Sequence, residues 1–404
     1  RPQLQWSFAV VDSPTVNAFA APGGFIYVTR GLLAHLGSEA ELAGVLGHEI
    51  GHVTARHAAE QYTRSTSSQL GLALGSILFP EVRPYANLAG TGLGLLALRY
   101  GRQDEIEADR LGAEYAAQAG WDPSGIEGML RTLARLGEAS TDRRGVPNWL
   151  STHPDPAQRV EEIAPVVARL QPPAGAEVRR GREAYLQRLD GLLFGDNPKE
   201  GIVRGNTFLH PVLRLAVEFP EGWPVRNSAT QVSAQAPDGQ QLMWLDVVTS
   251  PTGASLADVA QRHMAAAGFR TLDGRLARLG GAEAFVGTFE GRLQSGGRVV
   301  ARGAYIAAGQ AVYRWMGLAT EQAFPAASRR FDQAIESFRT LSAAEAERIR
   351  PLRVRLHTVA AGDTWDALAR VASQGTIAPA ALAVLNGSSP EAPPRAGDRV
   401  KVVR

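Results

Sequence analysis

The sequence contains no cysteine in 404 residues. Disulfides and thiolate metal ligands are thereby excluded, so any zinc site must be built from histidine and carboxylate. Lysine is nearly absent too: Lys199 and Lys401 stand alone, and arginine supplies the other basic residues. The formal net charge of +2 gives no global electrostatic case for nucleic acid, and none is expected as a partner. No apolar run reaches the roughly 18–20 residues that span a bilayer. The chain begins at Arg1 without a methionine, which points to processing or trimming, and no signal peptide is visible. What remains is ordinary for a globular protein, 45% hydrophobic and 20% charged, at a length that suits about two to four domains.

The most chemically loaded stretch is His48-Glu49-Ile50-Gly51-His52. Two histidines four apart on a helix leave the same face about one turn from each other, where one metal ion can accept both. Glu49 points in a neighbouring direction, suited to a carboxylate that takes a proton from water activated by the ion. Ser38 and Glu41 read as a capping box, and Leu42, Val45, Leu46, Ile50 and Val53 form an apolar stripe behind the ligands. No proline interrupts residues 38–63, so the helix is predicted over that span. His57 lies one turn and a residue beyond His52, off the ligand face, and reads as a helix-surface histidine. Further on, Glu105 and Asp109 are again four apart, on a helix that Gly120 ends. That spacing suits a carboxylate ligand plus a second carboxylate that receives the outer N–H of a ligand histidine. Glu107 points elsewhere.

Around these motifs, residues 5–29 read as strands, with Asn17–Gly24 as a turn and Phe25–Thr29 as a strand that either lies in the core or offers its edge to an extended peptide. Residues 64–98 hold two short apolar, glycine-rich runs. They read as buried helices or, more sharply, as a mobile lid or a peripheral membrane contact.

His-Glu-x-x-His followed some fifty residues later by Glu105-Ile-Glu-Ala-Asp109 resembles the gluzincin peptidases of the HtpX, BepA and CAAX-prenyl-protease type. The Asn17-Ala-Phe19 turn, Gly24–Leu33, Ala119-Gly-Trp-Asp-Pro123 and Ser151-Thr-His153-Pro154-x-Pro156-x-x-Arg159 extend the likeness over roughly residues 5–165. The resemblance implies one zinc held by His48, His52 and Glu105, with Glu49 as general base and Asp109 behind the ligands. It also implies that His153 lies near the metal. There it either stabilises the tetrahedral intermediate or occupies the open coordination position as a latch. The implied activity is zinc-dependent endopeptidase action on protein or peptide substrates. Misfolded or unassembled envelope proteins are the substrate class it suggests, in a periplasmic or otherwise extracytoplasmic bacterial setting.

The remaining chain changes character twice. Residues 166–205 read as a connector. Residues 206–342 alternate in strand fashion, with a hairpin at Pro237-Asp238-Gly239, a helix opened by Ser255 and a closing helix striped by Phe331, Ile335 and Phe338. This predicts an α/β sandwich, and its opening and closing motifs resemble PsbP-like domains. Residues 350–404 resemble a LysM module, a small β-α-α-β unit that implies binding to peptidoglycan, with His357 in place of the usual aromatic and a proline-rich insertion at Pro390–Pro394. The expected architecture is therefore α+β and multidomain: a mainly helical zincin-type metallopeptidase domain over 1–165, then the sandwich, then the module. The alternative is a largely latched metallopeptidase that acts mainly as a chaperone or cell-wall-associated scaffold.

Overall fold

In the computed structural model, residues 3–21, 23–58, 60, 100–139, 149, 152–170, 178–228, 230–292 and 297–404 are described. The expectation of a lid or membrane contact over residues 64–98 lies outside them. No helix among the described residues is long and apolar enough to cross a membrane. The chain divides into two compact units, Arg1–Gly195 with Leu352–Arg404, and Asp196–Pro351.

The first unit opens with a three-stranded sheet: β1 (Ser7–Val11), β2 (Ala18–Ala21) and β3 (Phe25–Thr29). β3 is the middle strand, parallel to β1 and antiparallel to β2. Ala18–Ala21 is therefore a strand where a turn was expected. Both sides of Phe25–Thr29 are already hydrogen-bonded, so this strand has no edge to offer a peptide. Thr29 ends it and caps α1 (Arg30–His35), its hydroxyl accepting from Leu32 N.

Helix α2 (Glu39–Ala55) carries the His-Glu-x-x-His motif. Ser38 caps it as expected, its hydroxyl accepting from Glu41 N at 3.1 Å. The Glu41 carboxylate accepts from Gly37 N instead of completing a capping box. The helix breaks after Ala55; residues 57, 58 and 60 are helical again, and the end of the expected span, 61–63, lies outside the described residues. Arg56 turns into the left-handed region at φ 65° and its N–H closes back on the His52 and Val53 carbonyls. Nothing in the sequence marks this stop, since neither glycine nor proline stands there.

The tightest face of α2 is not the apolar stripe but its glycines. Leu42, Leu46, Ile50 and Val53 are only half-buried. A Cβ on Gly47 would lie 2.7 Å from the Gly112 carbonyl oxygen and 2.9 Å from its Cα, and one on Gly51 would lie 3.0 Å from the Ala108 oxygen. Both facing residues belong to α3 (Arg102–Gln118). Gly44 meets Ile126 in the same way, on α4 (Gly125–Ala139). The helix backbones thus approach closely where the motif residues sit. Helix α5 (Pro156–Leu170) packs across α3 and α4.

The sequence sets residues 350–404 apart as a module and 166–205 as a connector. In the structure, Val354, Leu382, Val400 and Val402 share one hydrophobic core with Leu32, Leu36 and Val45, and Leu189 of the connector joins it. Lys401 is fully buried, and its Nζ donates to the carbonyls of Ala34 and Leu36 at 2.8 and 2.7 Å. Trp365 is buried as well, donating to Ala392 O within the proline-rich insertion.

The second unit is an α+β body. Seven strands form an antiparallel sheet in the order 270–279, 282–292, 298–308, 311–320, 241–248, 231–235, 225–227. Helix Phe324–Glu336 contributes Phe331 and Ile335 to a core with Trp315 and Phe219. Helix Leu256–Ala266 contributes Val259 and Met264 to a second core with Phe289 and Met316. A four-stranded sheet of 339–340, 215–218, 207–210 and 202–204 completes it. The strand at 270–279 was not expected; its exposed face carries little of the apolar alternation that marks its neighbours.

Gly47→Ala is expected to lower the stability of the protein in chemical denaturation by about 1–3 kcal/mol, because the new Cβ meets backbone that cannot rotate away. Alanine's better helix propensity, worth up to about 1 kcal/mol, opposes this but does not outweigh it. Unchanged or increased stability would show that the two helices are not held at this distance.

Candidate metal centre

Helices α2 and α3 bring their motif faces together. His48 Nε2 lies 3.0 Å from His52 Nε2 and 3.7 Å from Glu105 Oε2, and His52 Nε2 lies 3.4 Å from Glu105 Oε1. His153, just before α5, adds its Nδ1 at 3.3 Å from His48 Nε2 and 2.9 Å from Glu105 Oε1. All four side chains are buried, with ligand atoms within 4.8 Å of one another. A tetrahedron with metal bonds of about 2.0–2.1 Å has edges of about 3.3–3.4 Å. The donor spacings straddle that value.

The groups behind the donors fix their orientation. His48 Nδ1–H donates to Asp109 Oδ1 at 2.8 Å. A neutral His48 then presents a bare lone pair at Nε2, as a metal ligand must. Arg159, fully buried on α5, grips Asp109 with two bonds of 2.7 Å and sets Nη1 2.5 Å from Glu105 Oε2. Two aromatic rings fix the imidazole planes. Tyr100 stacks on His52 with centroids 3.8 Å apart, and Trp149 on His153 at 4.0 Å.

The electrostatics fit a divalent cation. Glu49, Glu105 and Asp109 are buried against one guanidinium, Arg159, which with neutral histidines leaves a formal charge of −2. Burial alone would push Glu105 and Asp109 up. For Glu105, His153 and Arg159 outweigh it and hold the carboxyl well below the usual range. For Asp109, Arg159 and His48 do the same. Burial drives His52 well below its ordinary value, so its ring is a neutral donor. At His48, burial pulls down but the hydrogen bond and charge of Asp109, with the charge of Glu105, pull the ring up. The site thus favours positive charge at that nitrogen, whether a proton or a metal supplies it. Zinc suits this donor set of imidazole and carboxylate.

Glu49 stands apart from this network. Burial raises its pKa, and neither carboxylate oxygen has a hydrogen-bond partner. His153 Nε2 lies 3.8 Å from its Oε1. A buried, unpartnered carboxylate beside the donor cluster is an acceptor with spare capacity for a water.

All six residues singled out from the sequence, His48, Glu49, His52, Glu105, Asp109 and His153, meet here. His57 corrects the sequence reading. It is buried, not on the helix surface, because the turn at Arg56 folds it back against His52. Arg159 appeared in the sequence only as the end of a motif. The signal for it was present in principle: two carboxylates on one buried helix face demand more positive charge than one divalent ion shares with Glu49.

Residues 1–166 match the family model described as Peptidase family M48. Mitochondrial metalloendopeptidase OMA1 of Arabidopsis thaliana is 40% identical over 162 residues, covering 40% of this chain and 31% of that protein. The beta-barrel assembly-enhancing protease of Escherichia coli K12 is 34% identical over 175 residues, covering 41% of this chain and 35% of that protein. The chain thus spans about a third of the length of these relatives. The solution structure of cyanobacterial PsbP from Synechocystis aligns with 35% of this chain and 95% of that one, at 12% identity and a TM-score of 0.26, too low to support an inference.

Arg159→Leu is expected to cost roughly 3–5 kcal/mol in denaturation of the metal-free protein, because Asp109 and Glu105 lose their buried counter-charge. A loss below about 1 kcal/mol would mean that the carboxylates are neutralised by something other than Arg159.

Proposed function

We propose, from the match of residues 1–166 to Peptidase family M48, that the protein is a zinc-dependent endopeptidase whose isolated state is latched by His153. The observation that carries the proposal is the buried cluster of four convergent donors, flanked by the unpartnered Glu49. His48, His52 and Glu105 would hold the ion. When bound, zinc supplies a Lewis acid that polarises a peptide carbonyl and makes water nucleophilic near neutral pH.

The chain's own groups supply the rest. Glu49 takes the proton of the attacking water and then passes it to the leaving amine. Burial raises its pKa, which makes it a stronger base than a surface glutamate. Asp109 holds the His48 tautomer, and Arg159 holds Asp109. His153 takes the fourth corner of the donor cluster. That corner is the one a substrate carbonyl or water needs, so this position supports the latch over the role in stabilising the intermediate. Its stacking on Trp149 gives the latch a seat from which a modest rotation of the ring would free the site.

Substrates are proposed to be misfolded or unassembled envelope proteins in a periplasmic or otherwise extracytoplasmic compartment. The support is the likeness of residues 1–166 to a protease named for enhancing beta-barrel assembly, and the absence of any membrane-crossing helix among the described residues is compatible with it. Peptidoglycan binding by residues 350–404 rests on the LysM resemblance, and a pull-down of the 404-residue chain on purified peptidoglycan tests it: retention supports the reading, and its absence overturns it.

Glu49→Gln is expected to lower caseinolysis by about 10²–10⁴-fold while leaving bound zinc in place. His153→Ala is expected to raise it. A large loss in His153→Ala would assign that histidine to turnover, and no change would remove it from the site. If Glu49→Gln restores a deletion strain fully, the scaffold reading replaces the peptidase.

A further inference from the structure

The two ligand histidines are not backed alike. His48 leans on a carboxylate, Asp109, at 2.8 Å. His52 Nδ1 instead lies 2.9 Å from Nδ1 of His57, with the rings edge to face. His57 is buried, and its Nε2 lies 3.6 Å from Glu107 Oε2 at the half-exposed edge of α3.

Two ring nitrogens at 2.9 Å share one proton: one ring donates and the other presents a lone pair. Which is which follows from chemistry. His52 faces the other metal donors through Nε2. A neutral imidazole that ligates through Nε2 carries its proton on Nδ1. His52 is therefore the donor and His57 Nδ1 the acceptor. The proton of His57 is left on Nε2, on the side where Glu107 lies.

We propose that His57 is a positioning residue for the metal centre, which accepts a hydrogen bond from His52 Nδ1–H, locks His52 in its metal-binding tautomer and turns its own Nε2–H towards Glu107. The inference rests on the zinc reading of the site. The backbone supports it. Arg56 is a non-glycine residue at φ 65°, a conformation that costs about 1 kcal/mol or more, and the turn it makes is what returns His57 to His52. Helix α3 thereby backs His48 directly through Asp109, while His52 leans on His57, whose Nε2 faces Glu107 at 3.6 Å. A neutral imidazole accepts more weakly than a carboxylate, so His52 is the less electron-rich of the two donors.

The test measures zinc affinity of the full chain by chelator competition, with cobalt substitution as a spectroscopic check on geometry. His57→Ala is expected to weaken zinc about 10–100-fold. His57→Asn, whose Oδ1 can take the place of Nδ1 as acceptor, is expected to recover most of that loss, and Glu107→Ala to cost less than His57→Ala. Wild-type affinity in His57→Ala, or equal loss in His57→Asn and His57→Ala, overturns the proposal. Nitrogen NMR of histidine tautomers in the unmutated zinc-loaded protein gives a reading independent of any variant. It is expected to show the proton on Nε2 of His57, and a proton on its Nδ1 overturns the proposal. Failure of the wild type to bind zinc would instead refute the metal reading beneath it.

Discussion

Burying three carboxylates against one guanidinium is the constraint from which the rest of the first unit follows. Three carboxylates and one guanidinium excluded from water would be several kcal/mol unfavourable per unpaired ion without a cation among them. The arrangement is tolerable because every charge except Glu49 has a partner. Arg159 spans Asp109 and Glu105, Asp109 receives the His48 proton, and the ring nitrogens and Glu105 are left facing one point. That convergence requires helix backbones to approach closely. Gly47 and Gly51 on one helix, against Gly112 and Ala108 on the other, permit it. A side chain at Gly47 would spread the donors before it disturbed any of them directly.

Much of this was legible. Residues four apart on a helix share a face, so His48 with His52 and Glu105 with Asp109 needed only helices at both places, and the sequence patterns for both were sound. The absence of cysteine narrowed the donor chemistry further. The second unit was legible as alternating strands bracketed by two helices, apart from the exposed strand at 270–279.

What escaped was whatever depends on tertiary approach. The glycines of the motif helix form its closest contact, and nothing in the sequence marks them for it. His57 read as exposed because the sequence extended the helix beyond Ala55, and the left-handed turn at Arg56 carries no glycine to announce it. The edge role considered for Phe25–Thr29 vanished because β1, distant in sequence, pairs along its free side. Residues 350–404 read as a separate module because small apolar residues such as Val354 and Val402 do not say which core they join. Buried Lys401, donating to the carbonyls that follow Leu33 and His35, shows how far that joining extends.

X-ray absorption at the zinc edge of the purified 404-residue chain tests the central claim most directly. The account predicts about one zinc per chain, bound only by nitrogen and oxygen at about 2.0–2.1 Å, with the multiple-scattering signature of at least two imidazoles. A chain without zinc, or zinc in a six-oxygen shell without imidazole, would contradict it.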